Sequence, residues 1–391
     1  MRAALRALAL ALAASAAHAQ SSPIVAGAAI PLTGLFADYG AGMKRALEQW
    51  RDECNAAGGL LGRRLELRLL DDGSEATASL RLYPRLIEDE HAELLLGPFG
   101  SAAAVAAASA TERAGRVLVN ATGAARNIQR AGRTYVVSVP APFSAYGTGP
   151  LAVARSAGDS RLLVLARGDP ASREAADALV AQARAAGLDA MSDAAPSGAK
   201  EYAARISAAR ARNAQAWIAF GGVEDAAQTI RVFKRLAYAP WMLLLESAAD
   251  PRFITAVGQD AELTMGLATY EPGDASPANA AFLAGWRKRG PGDPGAAAAA
   301  AYSAARVLEE AVRIAGSLDP ARLRAALGAL QLETPIGHYA VDADGVQIGV
   351  KPLVVQIQGG RREIVWPPDR ATAKWRLPYP RWDERQVHAT P

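Results

Sequence analysis

Apolar and polar positions alternate in two rhythms along the first third of the chain, short apolar runs and longer stretches at helical spacing. Residues 24–30 form an apolar run, followed by the polar loop Pro31-Leu32-Thr33-Gly34. Met43, Ala46, Leu47, Trp50 and Cys54 then recur at the three- and four-residue intervals of a helix covering a sheet, closed by Gly58-Gly59. Leu65, Leu67 and Leu69 alternate as in a strand, which stops at Asp71-Asp72-Gly73. A helix is expected next, with Ala76, Leu80, Tyr83 and Ile87 aligned on its buried face. Residues 94–96 are fully apolar, the mark of a strand buried on both faces of a parallel sheet. An alanine-rich helix from 101 to about 114 and a strand at 117–120 complete the unit.

The rhythm lapses over 135–146 and restarts at Arg161. Apolar runs at 162–166, 216–220 and 242–245 alternate with helical patterns near 172–186, 202–212 and 224–236. This predicts a second α/β unit of the same design, each with a doubly wound parallel sheet. Two long helices are expected near 277–289 and 296–316, separated by the Pro-Gly-rich break 290–295. After Pro335 strands and turns follow, with turns at Asp342-Ala343-Asp344-Gly345 and Gly359-Gly360. The tail from Trp366 is rich in proline and aromatic residues and is expected to lie extended on the surface.

Composition narrows the function classes. Residues 1–19 read as a secretory signal: Arg2 and Arg6 at the start, a short apolar stretch, and Ala17-His18-Ala19 as a small-x-small cleavage site. The mature protein is therefore expected in the periplasm. With 43 basic and 39 acidic residues, two of the former in the signal, charge offers no argument for nucleic acid. Cys54 is the single cysteine, which excludes an intramolecular disulfide, and its place on the first helix stripe marks it as a buried hydrophobe. The mature histidines, His91, His338 and His388, are scattered, so no metal site is expected. There is no Gly-x-Ser-x-Gly elbow, Walker loop or dinucleotide glycine motif, and Asp71-Asp72 is explained as a turn. Neither an enzyme nor a cofactor is expected.

The unit from Ile24 to Ser101, with the Pro-Leu-Thr-Gly loop, the aromatic Tyr39 and the run Leu94-Leu95-Leu96-Gly97-Pro98-Phe99-Gly100-Ser101, closely resembles the leucine/isoleucine/valine-binding family of solute-binding proteins. The likeness in layout continues to about residue 355. It implies the type I periplasmic binding fold: two Rossmann-like lobes joined by a three-segment hinge, with chain crossings near 141, 270 and 346. The lobes would comprise 20–141 with 271–346, and 142–270 with 347–391. It also implies the partners of such receptors, the permease and ATPase subunits of an ABC importer in the inner membrane, and a monomeric protein.

Six residues are candidates for the ligand site. Ser101 stands where a strand ends and a helix begins, so its hydroxyl and the first free amides of that helix can converge on a carboxylate. An ordinary serine cap, worth about 1 kcal/mol, is the alternative. The resemblance assigns Ser101 to the ligand carboxylate. Thr122, Gly123 and Ala124 belong to a small-residue loop after the fourth strand, and the glycine and alanine keep its backbone approachable. Ala125 stands where the family threonine would fall, and Arg126 next to it reads as solvated. Glu246 follows the strand 242–245 at its carboxyl end, where open α/β sheets bind ligands. The resemblance pairs it with the ligand ammonium; a helix-leading glutamate is the alternative. Tyr39 matches an aromatic that covers the ligand, or packs in the core. Two family tyrosines are lost, at Ala171-Ser172 and near Val223-Glu224. The expectation is a periplasmic receptor for a branched-chain-like amino acid or related small carboxylate. A periplasmic sensor of the same fold, binding an amide or aromatic acid without transport, is the alternative.

Overall fold

The computed structural model describes residues 22–129, 132–196 and 198–383, so the signal expected over 1–19 lies outside the described residues. The first sheet collects β1 (Ile24–Ile30), β2 (Leu65–Asp71), β3 (Leu94–Leu96), β4 (Leu118–Asn120) and β5 (Val136–Ser138), all parallel, in the order β2-β1-β3-β4-β5. Between them run α1 (Ala37–Ala56), α2 (Ser79–Glu88) and α3 (Ser101–Arg113). The α1 stripe Met43, Ala46, Leu47, Trp50 and Cys54 is buried on one face of this sheet, as its spacing requires. The phase of α2 differs from expectation. Leu80 is exposed, and Ser79, Leu82, Tyr83 and Leu86 are buried, because a short 3-10 turn over Ala76–Ala78 precedes the α-helix and rotates its faces.

The second sheet has seven strands in the order β14-β13-β10-β9-β8-β6-β7. Its parallel part is β6 (Arg161–Ala166), β7 (Asp189–Ala194), β8 (Ala216–Phe220), β9 (Met242–Leu245) and β10 (Met265–Ala268); β13 (Leu353–Gln358) and β14 (Arg361–Trp366) add an antiparallel edge. On one face lie α4 (Thr148–Ser156) and α5 (Pro170–Ala185). On the other lie α6 (Ala199–Ala211), α7 (Val223–Arg235) and α8 (Pro251–Val257). This is the doubly wound α/β design in two lobes.

Three helices that follow the second sheet return to the first. They are α9 (Pro277–Arg287), α10 (Ala296–Ala315) and α11 (Pro320–Ala329), and their apolar faces share one core with α1. Trp50 donates its indole N–H to Glu309 Oε2 at 2.8 Å, and Arg306 and Arg313 satisfy the rest of that buried carboxylate. A two-stranded ribbon, β11 (Leu332–Thr334) and β12 (Gly337–Tyr339), precedes the last passage between the sheets. There Gln347 is buried; its carbonyl accepts from the amides of Ala340, Gly349 and Val350, and its amide donates to the Val139 carbonyl at 2.9 Å. Two of the three connecting segments are thereby tied together. On the same side Arg370 bonds Asp274 at 2.5 Å and the carbonyls of Pro335 and Ile336.

Four helices open with a cap followed by proline: Asp169-Pro170, Asp250-Pro251, Ser276-Pro277 and Asp319-Pro320, each cap side chain accepting a backbone N–H of the first turn. The tail lies extended along the second lobe. Gln356 and Gln358 hold the backbone of Arg376 and Lys374, and the Tyr379 amide donates to the Trp241 carbonyl. Trp375 and Leu377 pack against the core on one face of the sheet, and Tyr379 and Trp382 on that of the other.

Asp159, in the turn before β6, is 2% exposed, and neither carboxylate oxygen has a hydrogen-bond partner among the described residues. Burial pushes its pKa up to about 6. The folded state therefore favours the neutral acid. Stability should be unaffected by this group below about pH 4 and should fall as pH rises toward 6, by about 1–3 kcal/mol in all. Asp159→Asn is expected to flatten that slope and raise stability at pH 7. Urea titrations at several pH values check this; an unchanged slope would mean the carboxylate is solvated.

Candidate functional site

The carboxyl ends of both parallel sheets face each other across a cleft, and a cavity of about 720 Å³ occupies it. Tyr39, Asp293 and Ala296 line it from the first lobe, and Arg167, Asp169, Gly221, Glu246, Asp250 and Arg362 from the second. Glu246 is set by the turn that follows β9. The Gly221 amide donates to its Oε2 at 3.0 Å, while the Ser247 hydroxyl donates to the Gly221 carbonyl, clamping the ends of β8 and β9 together. Gly266 on β10 permits this packing, since a Cβ there would lie 2.3 Å from the Ala249 nitrogen. Burial pushes the Glu246 carboxyl up to about 7; the Gly221 amide and Arg167 oppose the rise, and Asp169 adds to it.

The arginines nearby are already engaged. Arg167 Nε lies 2.7 Å from Asp169 Oδ2, Arg362 forks onto Glu271 at 2.7 and 3.2 Å, and Arg252 pairs with Asp250 at 2.6 Å. Burial raises Asp169, but the Ser172 amide and Arg167 outweigh it and hold the carboxyl at about 2. Asp169 and Asp250 thus cap α5 and α8 with their own charge. Glu246 and Asp293 face the cavity without a cationic side chain bonded to them among the described residues. A ligand cation suits this lining.

Tyr39, 43% exposed, stacks on Phe99 with ring centroids 4.8 Å apart. Its loop is fixed from below. Asp71 Oδ1 accepts from the amides of Leu32, Thr33 and Gly73, and Oδ2 from the Thr33 hydroxyl at 2.6 Å. Gly40 allows α1 to start against that loop, because a Cβ would fall 1.8 Å from the Pro31 carbonyl oxygen.

Ser101, Thr122, Gly123 and Ala124 stand together at the ends of β3 and β4. Ser101 Oγ accepts from the amides of Ala124 and Ala125 at 3.1 and 3.2 Å, which leaves its proton free to donate. Gly100, not Ser101, occupies the cap position of α3. Ser101 opens on a separate groove of about 230 Å³ beside Phe36 and Ser74, and Phe99 lines that groove too. The Thr122 hydroxyl accepts from the Gly100 amide at 2.8 Å and donates to the Pro98 carbonyl at 2.9 Å, so it holds the loop that carries Phe99. Gly123 exchanges two hydrogen bonds with Asn120, and a Cβ there would lie 2.7 Å from Ala104 and Ile128. Arg126 is exposed. Tyr39 and Glu246 therefore share the large cavity, Thr122 lines a smaller apolar one, Ser101 opens on the groove beside Phe99, and Gly123 and Ala124 are buried and line none of the three.

Sequence reasoning missed Tyr146, Arg167, Asp169, Asp250, Glu271 and Arg362 as lining residues. The rule that ligands collect at the carboxyl ends of parallel strands could have found Arg167 and Asp169, just beyond β6. Arg362 comes from the antiparallel edge, and no local signal marked it. Ala171-Ser172 and Gly221-Gly222 line the cavity near the two places where the resemblance expects tyrosine, which widens it.

Comparison with known proteins bears on the fold and the family. A leucine-, isoleucine-, valine-, threonine- and alanine-binding protein of Pseudomonas aeruginosa is 25% identical over 328 residues, 81% of this chain and 84% of that protein. The ABC transporter substrate-binding protein of Desulfitobacterium hafniense, solved with Leu, superposes with a TM-score of 0.75 at 21% identity, covering 88% of this chain and all of that one. The leucine-binding protein of Thermotoga maritima gives 0.72 at 22% identity, over 88% and 99% of the two chains. The family model described as periplasmic binding protein matches residues 23–361, and the chain belongs to that family.

Proposed function

We propose that this protein is the extracytoplasmic substrate-binding component of an ABC importer, taking an amino acid or related small carboxylate between its lobes. The observation that carries this reading is the cleft itself: a cavity of about 720 Å³ between two lobes, with Glu246 facing it and no cationic side chain bonded to it among the described residues. A buried carboxylate of this kind is stabilised by a ligand ammonium. The related P. aeruginosa protein, matched over most of both chains, binds leucine, isoleucine, valine, threonine and alanine by its name. The family is one of binding proteins.

In this reading the lobes are 20–141 with 271–346 and 142–270 with 347–391, and hinge closure is driven by ligand contacts from both. Tyr39 covers the ligand, Glu246 takes its ammonium, and the Ser101 hydroxyl, whose proton is free, receives its carboxylate once the lobes close. Residues 1–19 direct export, and the loaded monomer delivers cargo to permease and ATPase subunits in the inner membrane. Thermal denaturation against a panel of amino acids, aromatic acids and amides tests the reading. A true ligand at 100 times its Kd should stabilise the protein by about 2.7 kcal/mol. Stabilisation by amides or ammonium-free acids alone would favour the sensor alternative over amino-acid uptake.

A further inference from the structure

Beside the large cavity, toward the hinge, lies a second of about 170 Å³. Tyr39, Tyr146, Thr269 and Ala296 line both, so the two are continuous chambers of one cleft. The smaller chamber differs in chemistry. Its floor is Ala297, Ala300, Ile336 and Val350, and the Phe99 ring, stacked under Tyr39, forms a wall. The Thr122 hydroxyl, a polar group on that wall, already has both of its partners in the loop 97–100. Thr122 therefore asks for no polar ligand atom, and the other hydroxyl-bearing residues of the lining, Tyr39, Tyr146 and Thr269, are the ones shared with the large cavity. The space exists because α10 opens with a run of alanines, whose side chains stop at Cβ where a longer one would fill the chamber.

We infer that this annex receives a ring-sized apolar group of the ligand, which makes an aromatic side chain preferred to a branched aliphatic one. The inference rests on the cleft reading above and adds the class of cargo. Volume decides it: an apolar cavity of about 150 Å³ accommodates benzene. An isobutyl group would leave part of the annex empty, and its lining would lose dispersion contacts on that side. The extra buried carbons of a phenyl ring are worth about tenfold in affinity. The Phe99 face offers the ring an aromatic neighbour as well.

Calorimetry on the mature protein with two matched pairs tests this: L-phenylalanine against L-leucine, and 3-phenylpropanoate against 4-methylpentanoate. The aryl member of whichever pair binds should bind about tenfold more tightly. Ala296→Leu, at an exposed position on the rim of the annex, should abolish that ratio while leaving the melting temperature near its starting value. Ala300→Val serves as a second filling variant should the first fail to fold. Equal or tighter binding of the branched member, or a ratio that survives filling, would overturn the inference. Binding of the acids without the amino acids would overturn the amino-acid reading, and the acid pair would still decide the annex. Binding of neither pair would overturn both.

Discussion

Replacing Glu246 by glutamine is expected to lower affinity for an amino acid at least tenfold, about 1.4 kcal/mol, while leaving the fold intact. The substitution keeps the shape and removes the charge. Its pH dependence gives the sharper signature. In the empty cleft the Glu246 carboxyl is raised to about 7, so below that pH much of it is protonated. An ammonium binds the ionised form, and a ligand amine stays charged throughout this range. Wild-type affinity should therefore rise as pH climbs from 6 toward 8 and then level off, whereas the glutamine variant should show a flat profile. Titration calorimetry at three pH values reads both effects. Unchanged or tighter binding by Glu246→Gln would mean that no ammonium sits there, and the cargo would then be a carboxylate or aromatic acid.

Trp50→Ala should be among the most destabilising single changes in the chain, by about 3–5 kcal/mol. Trp50 is wholly buried where α1 meets α10, two elements more than 200 residues apart, and its indole N–H satisfies one oxygen of Glu309. Truncation leaves both a large void and a buried carboxylate short of one donor. Trp50→Phe should cost less, since a ring remains and Arg306 and Arg313 still neutralise Glu309. Urea unfolding read by circular dichroism separates the two. If the alanine variant lost under about 1 kcal/mol, α10 would not pack on the first lobe as described.

What could be read in the sequence divides along physical lines. The α1 stripe and the buried runs of β3, β6, β8 and β9 are local signals, since burial on both faces or on one stripe dictates residue type directly. Several elements escaped, β10, α8 and α11 among them, and three others have a plain cause. β7, Asp189–Ala194, is an edge strand paired only with β6, so its polar sequence meets no constraint from a second neighbour. β5 is three residues long, and α4 covers the sheet with so little apolar length that its period is hard to see. The site divides similarly. Glu246 could be placed because it follows a strand at its carboxyl end, and Tyr39 only through the family resemblance. The engagement of Ser101 with the amides of Ala124 and Ala125 could not, because it depends on two strands meeting in space. The ion pairs Arg362–Glu271 and Arg370–Asp274 join segments more than 90 residues apart, and nothing near either residue announces its partner.

The most direct test of the central claim is a crystal structure of the mature protein with its tightest-binding ligand. The account predicts ligand density in the cleft between the two sheets, touching both lobes, with a nitrogen within hydrogen-bond reach of the Glu246 carboxylate and the apolar end against Ala297 and Ala300. Density outside that cleft, or confined to one lobe with Glu246 still bonded only to the Gly221 amide, would contradict it.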